Sequence, residues 1–450
     1  MTLSIIVTTF NIENYIHQCL ESIANQTLSD IEIIVVDDAS TDGTRKIIDE
    51  FAKKDDRIKT IYFEKNTIGG VSSAANAGLD IATGEYIGFA DGDDWYELDM
   101  FERLFELASS GDADIAFCNY LEFDESNNQK KVPSDGKKWP DIHSFMGQVN
   151  DSDEFKRKLL RLNPVPWRKI YRRTWLESHK IRFPVGDYFF EDNPFHWQST
   201  ILASKIVFDD FIGCYHRINR PGQSMARADK KLLAMYEHHQ TILSILNTTD
   251  SSRFYEQSFG WLVGNTCWIA RKMEAEFMQE LFIAFKQQTS FYSLDWVTNL
   301  LDTPVLGRYG SDLVRTALEN DYEAFCVVAK GKKLKLDNKQ QNNKFPPPNT
   351  SINSLFTQSI HTYKTEGFRA LLKKIKAYLE YRYNLKMHSF LWVSNRRLLK
   401  ELQHVKREAH GLKQEVQVLK VAFLLQSQEH QLNQNYTAKL QGKVSLKDEV

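Results

Sequence analysis

The sequence predicts an α/β protein with a mostly parallel, Rossmann-like sheet and flanking helices, followed by a C-terminal helical region. Over the first 120 residues, short β-branched runs alternate with segments of helical spacing. Strands that alternate with helices favour right-handed crossovers within one sheet. The chain has 450 residues, 42% of them hydrophobic and 26% charged, which is typical of a globular protein with more than one core.

Each expected strand is a short apolar run bounded by polar turns. Five such runs cover residues 3–9, 31–36, 58–63, 86–90 and 114–120. The segments between them have the apolar spacing of helices, at residues 15–24, 44–53, 72–81 and 100–108. In sheets of this kind, ligands bind beyond the carboxyl ends of the strands, at the point where the strand order reverses.

Polar residues mark the ends of three predicted strands, namely Thr8, Thr9, Asp37, Asp38 and the aspartates of DGDD at 91–94. Aspartates often form turns or cap helices, and this explanation is strong for Asp37 and Asp38. It is weaker for Asp91, Asp93 and Asp94, because carboxylates this close repel one another unless a cation or several donors compensate. The DGDD run therefore indicates a divalent metal site.

Composition limits the partners and the compartment. Lys and Arg number 57 against 59 Asp and Glu, so the overall charge predicts no nucleic-acid binding. The five cysteines form no CxxC pair, which fits a reducing cytoplasm and not a zinc site. The first residues do not have the pattern of a signal peptide. No window approaches the roughly 20 apolar residues of a membrane span.

Four regions are expected along the chain: an α/β domain at 1–230, a helical extension at 231–330, a linker at 331–351 and a C-terminal region at 352–450. The linker loses almost all apolar residues and ends near three prolines. In the last region, a basic amphipathic helix around residues 368–382 fits either an anionic membrane surface or packing on the main body. From residue 398, about four heptads predict a coiled coil and self-association.

The segments SIIVTTFN, QTLSDIEIIVVDDASTDGT, GVSSAANAGLDIATGEYIGFADGDDW and EDNPF together resemble family 2 of the glycosyltransferases, inverting enzymes of GT-A fold. The resemblance covers roughly residues 1–225, and the combination is specific although a DxD motif alone is a weak signal. It implies a UDP-sugar donor, a Mn²⁺ or Mg²⁺ ion and a glycan or lipid-linked glycan acceptor. Capsule, O-antigen and teichoic-acid-like polymers are the acceptors that it implies.

The resemblance also implies a nucleotide-sugar site, formed by Thr8, Thr9, Phe10, Asp38, Asn76, Asp91 and Gly92. Thr8 and Asp38 lie where the family holds the uracil ring. Many members carry an arginine immediately before Asn76, whereas this chain has Ala75. Arg217 or Arg220 is the expected replacement, because related enzymes fold this later segment across the diphosphate.

Asp91 and Asp93 are the outer residues of the DxD motif. The resemblance implies that Asp93 ligates the metal and that Asp91 contacts the ribose or reaches the ion through water. A hard cation at this place prefers oxygen ligands and neutralises the diphosphate leaving group. His216 is either a further metal ligand, a phosphate donor or a hydrogen-bonded histidine at a strand end. Asp94 is expected to cap the next turn, and Trp95 to stack on the acceptor sugar.

Glu191 and Asp192 match the family's ED pair, in which the aspartate is the catalytic base. Inversion requires a group on the face opposite the leaving diphosphate, and a carboxylate of raised basicity suits it. We assign this role to Asp192 and the orientation of the site or acceptor to Glu191, with the reverse as the alternative. A cap on a helix that begins at Asn193 or Pro194 would explain the pair as well, and both roles are compatible.

The sequence thus predicts a metal-dependent hexosyltransferase, located in the cytoplasm or on the inner face of the cell membrane. Two alternatives stay open at this point. A non-catalytic GT-A scaffold organised by its coiled coil would not need filled nucleotide, metal and base positions. A nucleotidyltransferase also places carboxylates at strand ends, but it would more naturally begin with a glycine-rich basic phosphate loop, which SIIVTTFN lacks.

Overall fold

The computed structural model describes residues 1–186, 189–221 and 229–331. The predicted linker beyond Gly331 and the predicted region 352–450 lie outside these residues. The amphipathic helix, the coiled coil, self-association and membrane contact therefore stay predictions. None of the helices in the described ranges has both the length and the apolar character needed to cross a membrane.

Nine strands of the described residues form one sheet. They are β1 (Leu3–Thr9), β2 (Ile31–Asp37), β3 (Ile58–Tyr62), β4 (Tyr86–Asp91), β5 (Trp95–Tyr96), β6 (Ile115–Asp124), β7 (Gln129–Lys131), β8 (Lys169–Arg172) and β9 (Ile206–Ile218). The strand order is β3-β2-β1-β4-β8-β6-β9-β5, and β7 pairs with β6. The five strands expected from the sequence are β1, β2, β3, β4 and β6, with bounds that differ by a few residues.

Parallel pairing dominates the first half of the sheet. β1 lies between β2 and β4, and β2 pairs with β3, all in parallel. The short β8 then inserts between β4 and β6 and is antiparallel to both. β6 pairs in parallel with the long β9, whose end pairs with β5 in the opposite direction. The predicted α/β class with a mostly parallel sheet is confirmed, and the inserted strand is the feature that the alternation did not reveal.

The helices associated with the sheet are α1 (Ile16–Ala24), α2 (Thr44–Ala52), α3 (Val71–Ile81), α4 (Met100–Ser110), α5 (Asp153–Leu159), α6 (Arg173–Ser178) and α7 (Asp192–Leu202). Residues 234–329 form α8 (Ala234–Thr248), α9 (Tyr255–Lys272), α10 (Met278–Thr289), α11 (Leu294–Leu300), α12 (Gly307–Leu318) and α13 (Tyr322–Ala329). These six helices enclose an apolar core of their own, with Phe259, Leu281 and Phe285 fully buried.

Two apolar cores cover the two faces of the sheet. Successive residues of a strand point to opposite faces, so Ile5 packs with Leu20 of α1, and Ile6 packs with Leu79 of α3. Because both faces are covered, every residue of β1 and of β2 is buried, and both strands read as continuous apolar runs. This packing fixes the carboxyl ends of the central strands at one edge.

Candidate active site

The carboxyl ends of β1, β2 and β4 meet at one edge of the sheet. The register places Thr8 beside Asp91 and Thr9 beside Asp37. The hydroxyl of Thr9 donates to Asp37 Oδ1 at 3.1 Å, and Asp37 is fully buried. Phe10 follows with 45% of its surface exposed. Thr8, Thr9 and Phe10 therefore lie on the predicted rim, while Asp37 has the structural role that its turn sequence suggested.

Asp38 lies on the same rim and holds the loop after β3. Its carboxylate accepts from the Thr67 backbone N–H at 2.8 Å and from Asn66 Nδ2 at 2.9 Å. Burial raises the pKa of Asp38, and the hydrogen bond from Thr67 opposes that rise. Asp38 is only 3% exposed. Contact between this carboxylate and a uracil ring stays a prediction.

Asn76 has a different partner from the one expected. Its Nδ2 donates to the Phe183 carbonyl at 2.8 Å, and its Oδ1 accepts from the Phe183 N–H at 3.0 Å. Both polar ends of the amide are thus used to tie α3 to the segment that leads to the ED pair. A nucleotide contact from Asn76 would have to share these groups, and it stays a prediction.

The DGDD run forms a tight turn directly after β4. The Asp94 N–H donates to the Asp91 carbonyl at 3.0 Å, and the Gly92 N–H donates to the Thr8 carbonyl at 3.0 Å. A Cβ at Gly92 would lie 2.6 Å from Ile12 Cδ1 and 2.9 Å from the Thr8 carbonyl oxygen. This close approach requires glycine, so Gly92 shapes the turn whether or not it contacts a nucleotide.

Two aspartates of this turn and His216 of β9 lie close enough together that they could hold a metal ion. Asp91, Asp94 and His216 each offer one ligand atom, and these atoms lie within 4.8 Å of one another. His216 Nδ1 is 2.9 Å from Asp94 Oδ2. Asp93, the predicted metal ligand, forms an ion pair with Arg220, and its role as a ligand stays a prediction. Turn geometry decides which aspartate faces His216, and composition alone does not reveal it.

Burial and the clustered charges of the DGDD turn change the pKa values of Asp91, Asp94 and His216. Burial, followed by the charges of Asp94 and Asp93, raises the pKa of Asp91 well above its ordinary value. Burial raises the pKa of Asp94 too, although His216 opposes it. Burial alone would lower the pKa of His216, but the charges of Asp94, Asp93 and Asp91 raise it to about 9. Without a cation, these carboxylates favour the imidazolium form of His216. Ligation of a metal by His216 would release this proton, because a histidine ligates a metal as neutral imidazole.

Arg217 has several partners at the DGDD turn. Its backbone N–H donates to Asp94 Oδ1 at 2.8 Å, and its Nε donates to the Asp93 carbonyl at 2.9 Å. The guanidinium also bonds Gln18 Oε1 at 2.7 Å and pairs with Glu125. Only 6% of Arg217 is exposed. Arg217 therefore links the DGDD turn to β9, and a phosphate contact from its guanidinium stays a prediction.

Arg220 and Trp95 lie beside this turn. Arg220 pairs with Asp93 and donates from Nη1 to the Pro221 carbonyl at 3.2 Å. Its side chain is 14% exposed, against 7% for that of Arg217, and a phosphate contact from Arg220 stays a prediction. Trp95 stacks on Tyr215, with ring centroids 5.0 Å apart. Its ring is thus partly covered within the protein, and stacking on an acceptor sugar stays a prediction.

The ED pair lies at the start of α7. The helix begins at Asp192, one residue before Asn193, and Glu191 occupies the preceding position. A carboxylate in the first helical turn is stabilised by the helix dipole. Burial raises the pKa of Asp192 to about 6, against the opposing charge of Lys169. Burial and the charge of Asp192 raise the pKa of Glu191 to about 7.

The pair and the acidic turn border the same site. After burial, Asp94 and Asp93, the charge of Asp192 also contributes to the raised pKa of Asp91. Lys169 on β8 is fully buried beneath α7, where its ammonium is 3.0 Å from His196 Nδ1. Sequence reasoning missed Lys169, because a lone lysine in an apolar strand carries no motif.

The helical extension holds the turn before the pair. Phe190 has a φ of 71°, in the left-handed region that bulky residues rarely adopt. Its ring packs against Trp268 of α9, with centroids 5.6 Å apart. His238 of α8 donates from Nε2 to the Phe189 carbonyl at 2.6 Å. The position of the ED pair therefore depends on α8 and α9 as well as on the sheet.

Comparison with known proteins agrees with this arrangement. Residues 4–179 match the family model for glycosyl transferase family 2. The chain is 32% identical over 274 residues to a putative glycosyltransferase, EpsH, of Bacillus subtilis, across 59% of this chain and 75% of EpsH. It is 29% identical over 254 residues to a poly(ribitol-phosphate) beta-glucosyltransferase of Bacillus spizizenii, across 56% of this chain and 37% of that relative.

Solved structures share the fold. Residues 1–349 of S. aureus TarS, in complex with UDP-GlcNAc, superpose with a TM-score of 0.59 at 22% identity, over 73% of this chain and 91% of that one. The predicted GT-A fold is thereby confirmed. The family-model match and the similarity to three quarters of EpsH show that this chain is an enzyme of glycosyltransferase family 2.

Proposed function

We propose that this glycosyltransferase moves one sugar, with inversion, from a UDP-sugar to a hydroxyl group of a surface glycan, and that the transfer needs a divalent cation. One observation carries the proposal: the cluster of Asp91, Asp94 and His216 lies close enough to the half-buried carboxylate pair at the start of α7 for the charge of Asp192 to raise the pKa of Asp91. The UDP-GlcNAc complex of TarS and the poly(ribitol-phosphate) acceptor of a relative support the donor and acceptor classes.

Asp192 is the proposed general base. As the acceptor oxygen attacks the anomeric carbon, the bond from that carbon to the diphosphate breaks, UDP leaves, and the hydroxyl proton passes to the Asp192 carboxylate. A pKa of about 6 makes this carboxylate more basic than an exposed aspartate, yet leaves it ionised at neutral pH. Glu191, with its pKa raised to about 7, is the proposed partner that orients the site or the acceptor.

Asp91, Asp94 and His216 are the proposed cation ligands. A cation held there neutralises charge on the diphosphate leaving group. Two carboxylates suit both Mg²⁺ and Mn²⁺, and the imidazole favours Mn²⁺, because it is a ligand that transition metals prefer. Arg220, at the edge of the cluster, is the proposed phosphate contact. Thr8, Thr9, Phe10 and Asp38 form the proposed nucleotide rim on the neighbouring strand ends.

The direct test is UDP release from a panel of UDP-sugars, with Mn²⁺, with Mg²⁺ and with excess chelator. We expect one donor to be hydrolysed slowly in the absence of acceptor and only when metal is present. Release of pyrophosphate in place of UDP would indicate a nucleotidyltransferase. UDP release at the same rate in chelator would contradict the cation requirement. If UDP binds but no donor turns over, a panel of glycan acceptors decides between strict acceptor dependence and a scaffold.

The pH dependence of turnover tests the base. We expect kcat to fall about tenfold per pH unit below a midpoint of about 6, because only the ionised form of Asp192 accepts a proton. The rate is measured with saturating donor, acceptor and Mn²⁺. We call this fall of kcat at low pH the acidic limb of the pH profile. Glu191→Gln should keep it. A limb near pH 7 that disappears in Glu191→Gln would instead make Glu191 the base, since its pKa is raised to about 7.

The place of action also stays a proposal. We place the enzyme in the cytoplasm or on the inner face of the membrane, where lipid-linked glycan acceptors are exposed. Support comes from the basic amphipathic pattern around residues 368–382, which the described residues do not include.

A further inference from the structure

Trp261 of α9 connects the helical extension to the ED pair by a short chain of hydrogen bonds. Its indole Nε1 donates to Asn193 Oδ1 at 3.0 Å. Asn193 Nδ2 then donates to Asp192 Oδ1 at 3.0 Å and to the Phe190 carbonyl at 3.1 Å. Asn193 is only 6% exposed, so its amide finds its partners within the protein.

The chemistry of the indole determines the direction of this chain. An indole N–H only donates, so the group of Asn193 that faces Trp261 must be the amide oxygen. The NH₂ group must then face Asp192 and the Phe190 carbonyl, both of which only accept when Asp192 is ionised. If the amide were reversed, its oxygen would face the Asp192 carboxylate and repel it. Trp261 therefore sets the amide orientation that the ionised form of Asp192 needs.

We propose that Trp261 is a positioning residue for sugar transfer, which acts through Asn193 to hold Asp192 Oδ1 and so aims Oδ2 at the acceptor hydroxyl. The inference rests on the proposed function, in which Asp192 is the base. A carboxylate that receives a charge-assisted hydrogen bond on one oxygen keeps a defined orientation and stays ionised to lower pH. In this proposal, the helical extension positions the catalytic base from a distance, through Trp261 and Asn193.

The surroundings of Trp261 and Asn193 restrict the movement of these two hydrogen-bonded side chains. The ring of Trp261 packs among apolar residues that include Trp197 and Ile201 of α7. It also stacks on His239 of α8, with ring centroids 6.2 Å apart. At the other end, the Asn193 backbone N–H donates to the Phe190 carbonyl at 3.0 Å. Packing thus holds the Trp261 ring, and a backbone hydrogen bond holds Asn193. Little freedom remains for the Asn193 amide between Trp261 and Asp192.

Trp261→Phe is the first test, because it removes the donor and keeps an aromatic ring. We expect kcat to fall about tenfold, the donor KM and the affinity for UDP to stay unchanged, and the acidic limb of kcat to move to higher pH. The matched control is Trp175→Phe in α6, a largely buried tryptophan whose ring contacts His179 and which belongs to a different apolar cluster from Trp261. The control should keep wild-type kcat and the wild-type limb.

A double-mutant cycle with Asn193→Ala tests whether the two residues act in one chain. If they do, adding Trp261→Phe to Asn193→Ala causes no further loss of kcat. The inference would be overturned if the kcat loss of the double variant equalled the product of the losses of the two single variants. It would also be overturned if the acidic limb of Trp261→Phe lay at the same pH as that of the wild type. If thermal melting shows that Trp261→Phe does not fold, Asn193→Ala decides alone, and an unshifted limb in that variant counts against the inference.

A readout without turnover separates this inference from the proposed function. The carboxyl ¹³C resonance of Asp192, assigned with Asp192→Asn, reports the pKa of that group directly. We expect this pKa to rise in Trp261→Phe and in Asn193→Ala. A wild-type protein that releases UDP from no donor contradicts the proposed function, while the titration still decides whether Trp261 acts on Asp192. An equal pKa in wild type and both variants overturns the inference by itself.

Discussion

Asp192→Asn is expected to lower kcat by a factor of about 10² to 10⁴, the range that a general base contributes, with UDP binding close to that of the wild type. Asparagine has nearly the same shape as aspartate but accepts no proton at neutral pH. The variant thus removes the proton acceptor and leaves the helix start in place. The measurement is single-turnover sugar transfer, with calorimetric titration of UDP in the presence of Mn²⁺.

Glu191→Gln is the matched control for this result. It removes a neighbouring buried carboxylate whose pKa is also raised, but which we assign to orientation of the site. We expect a smaller loss than in Asp192→Asn, with the acidic limb retained. If Asp192→Asn transferred sugar at the wild-type rate and Glu191→Gln did not, the two roles would have to be exchanged.

Asp94→Asn is expected to weaken Mn²⁺-dependent UDP binding by about 10- to 100-fold, since even residues that only support a metal ligand are worth this factor. The reason is geometric, because the Asp94 carboxylate lies in one cluster with the Asp91 carboxylate and the His216 imidazole. Asp93→Asn should keep most of the metal dependence, because the Asp93 carboxylate is paired with Arg220. Calorimetric titration of UDP with Mn²⁺ and with chelator measures the difference.

Stability must be followed alongside this comparison. Asp94 is buried and pairs with His216, and removal of one partner from a buried ion pair is destabilising. Thermal melting of both variants shows whether the titrations are made on folded protein. If Asp93→Asn lost the metal dependence and Asp94→Asn kept it, the ligand set predicted from the DxD motif would be right and the cluster would be wrong.

Local patterns predicted the strands and helices of the first half of the fold. β1 and β2 are mostly apolar and buried throughout because both of their faces are covered, and the helices packed on them have one apolar side. The rim followed from a general property of parallel sheets, since carboxyl ends of adjacent strands lie at one edge. The ED pair was found from its motif. The helix after it begins at Asp192, one residue before Asn193, which was the earlier of the two expected starts.

The remaining features depend on contacts between distant parts of the chain. β8 is short, and its place between β4 and β6 is set by pairing with strands far from it in sequence. Whether Asp93 or Asp94 joins His216 depends on the direction in which a four-residue turn points its side chains. Arg217 and Trp261 have partners more than 60 positions away, at Asp93 and Asn193, and no local pattern marks such a pairing.

The left-handed turn at Phe190, which α8 and α9 hold from outside the sheet, limits how this enzyme can be recombined with its relatives. A chimera joined after residue 230 would combine an ED pair from one parent with supporting helices from another, and the strained turn would lose its matched partners. Exchange of donor preference between family members should therefore use junctions before Phe189 or after α9. The segment from Phe189 to Lys272 is best inherited as one block.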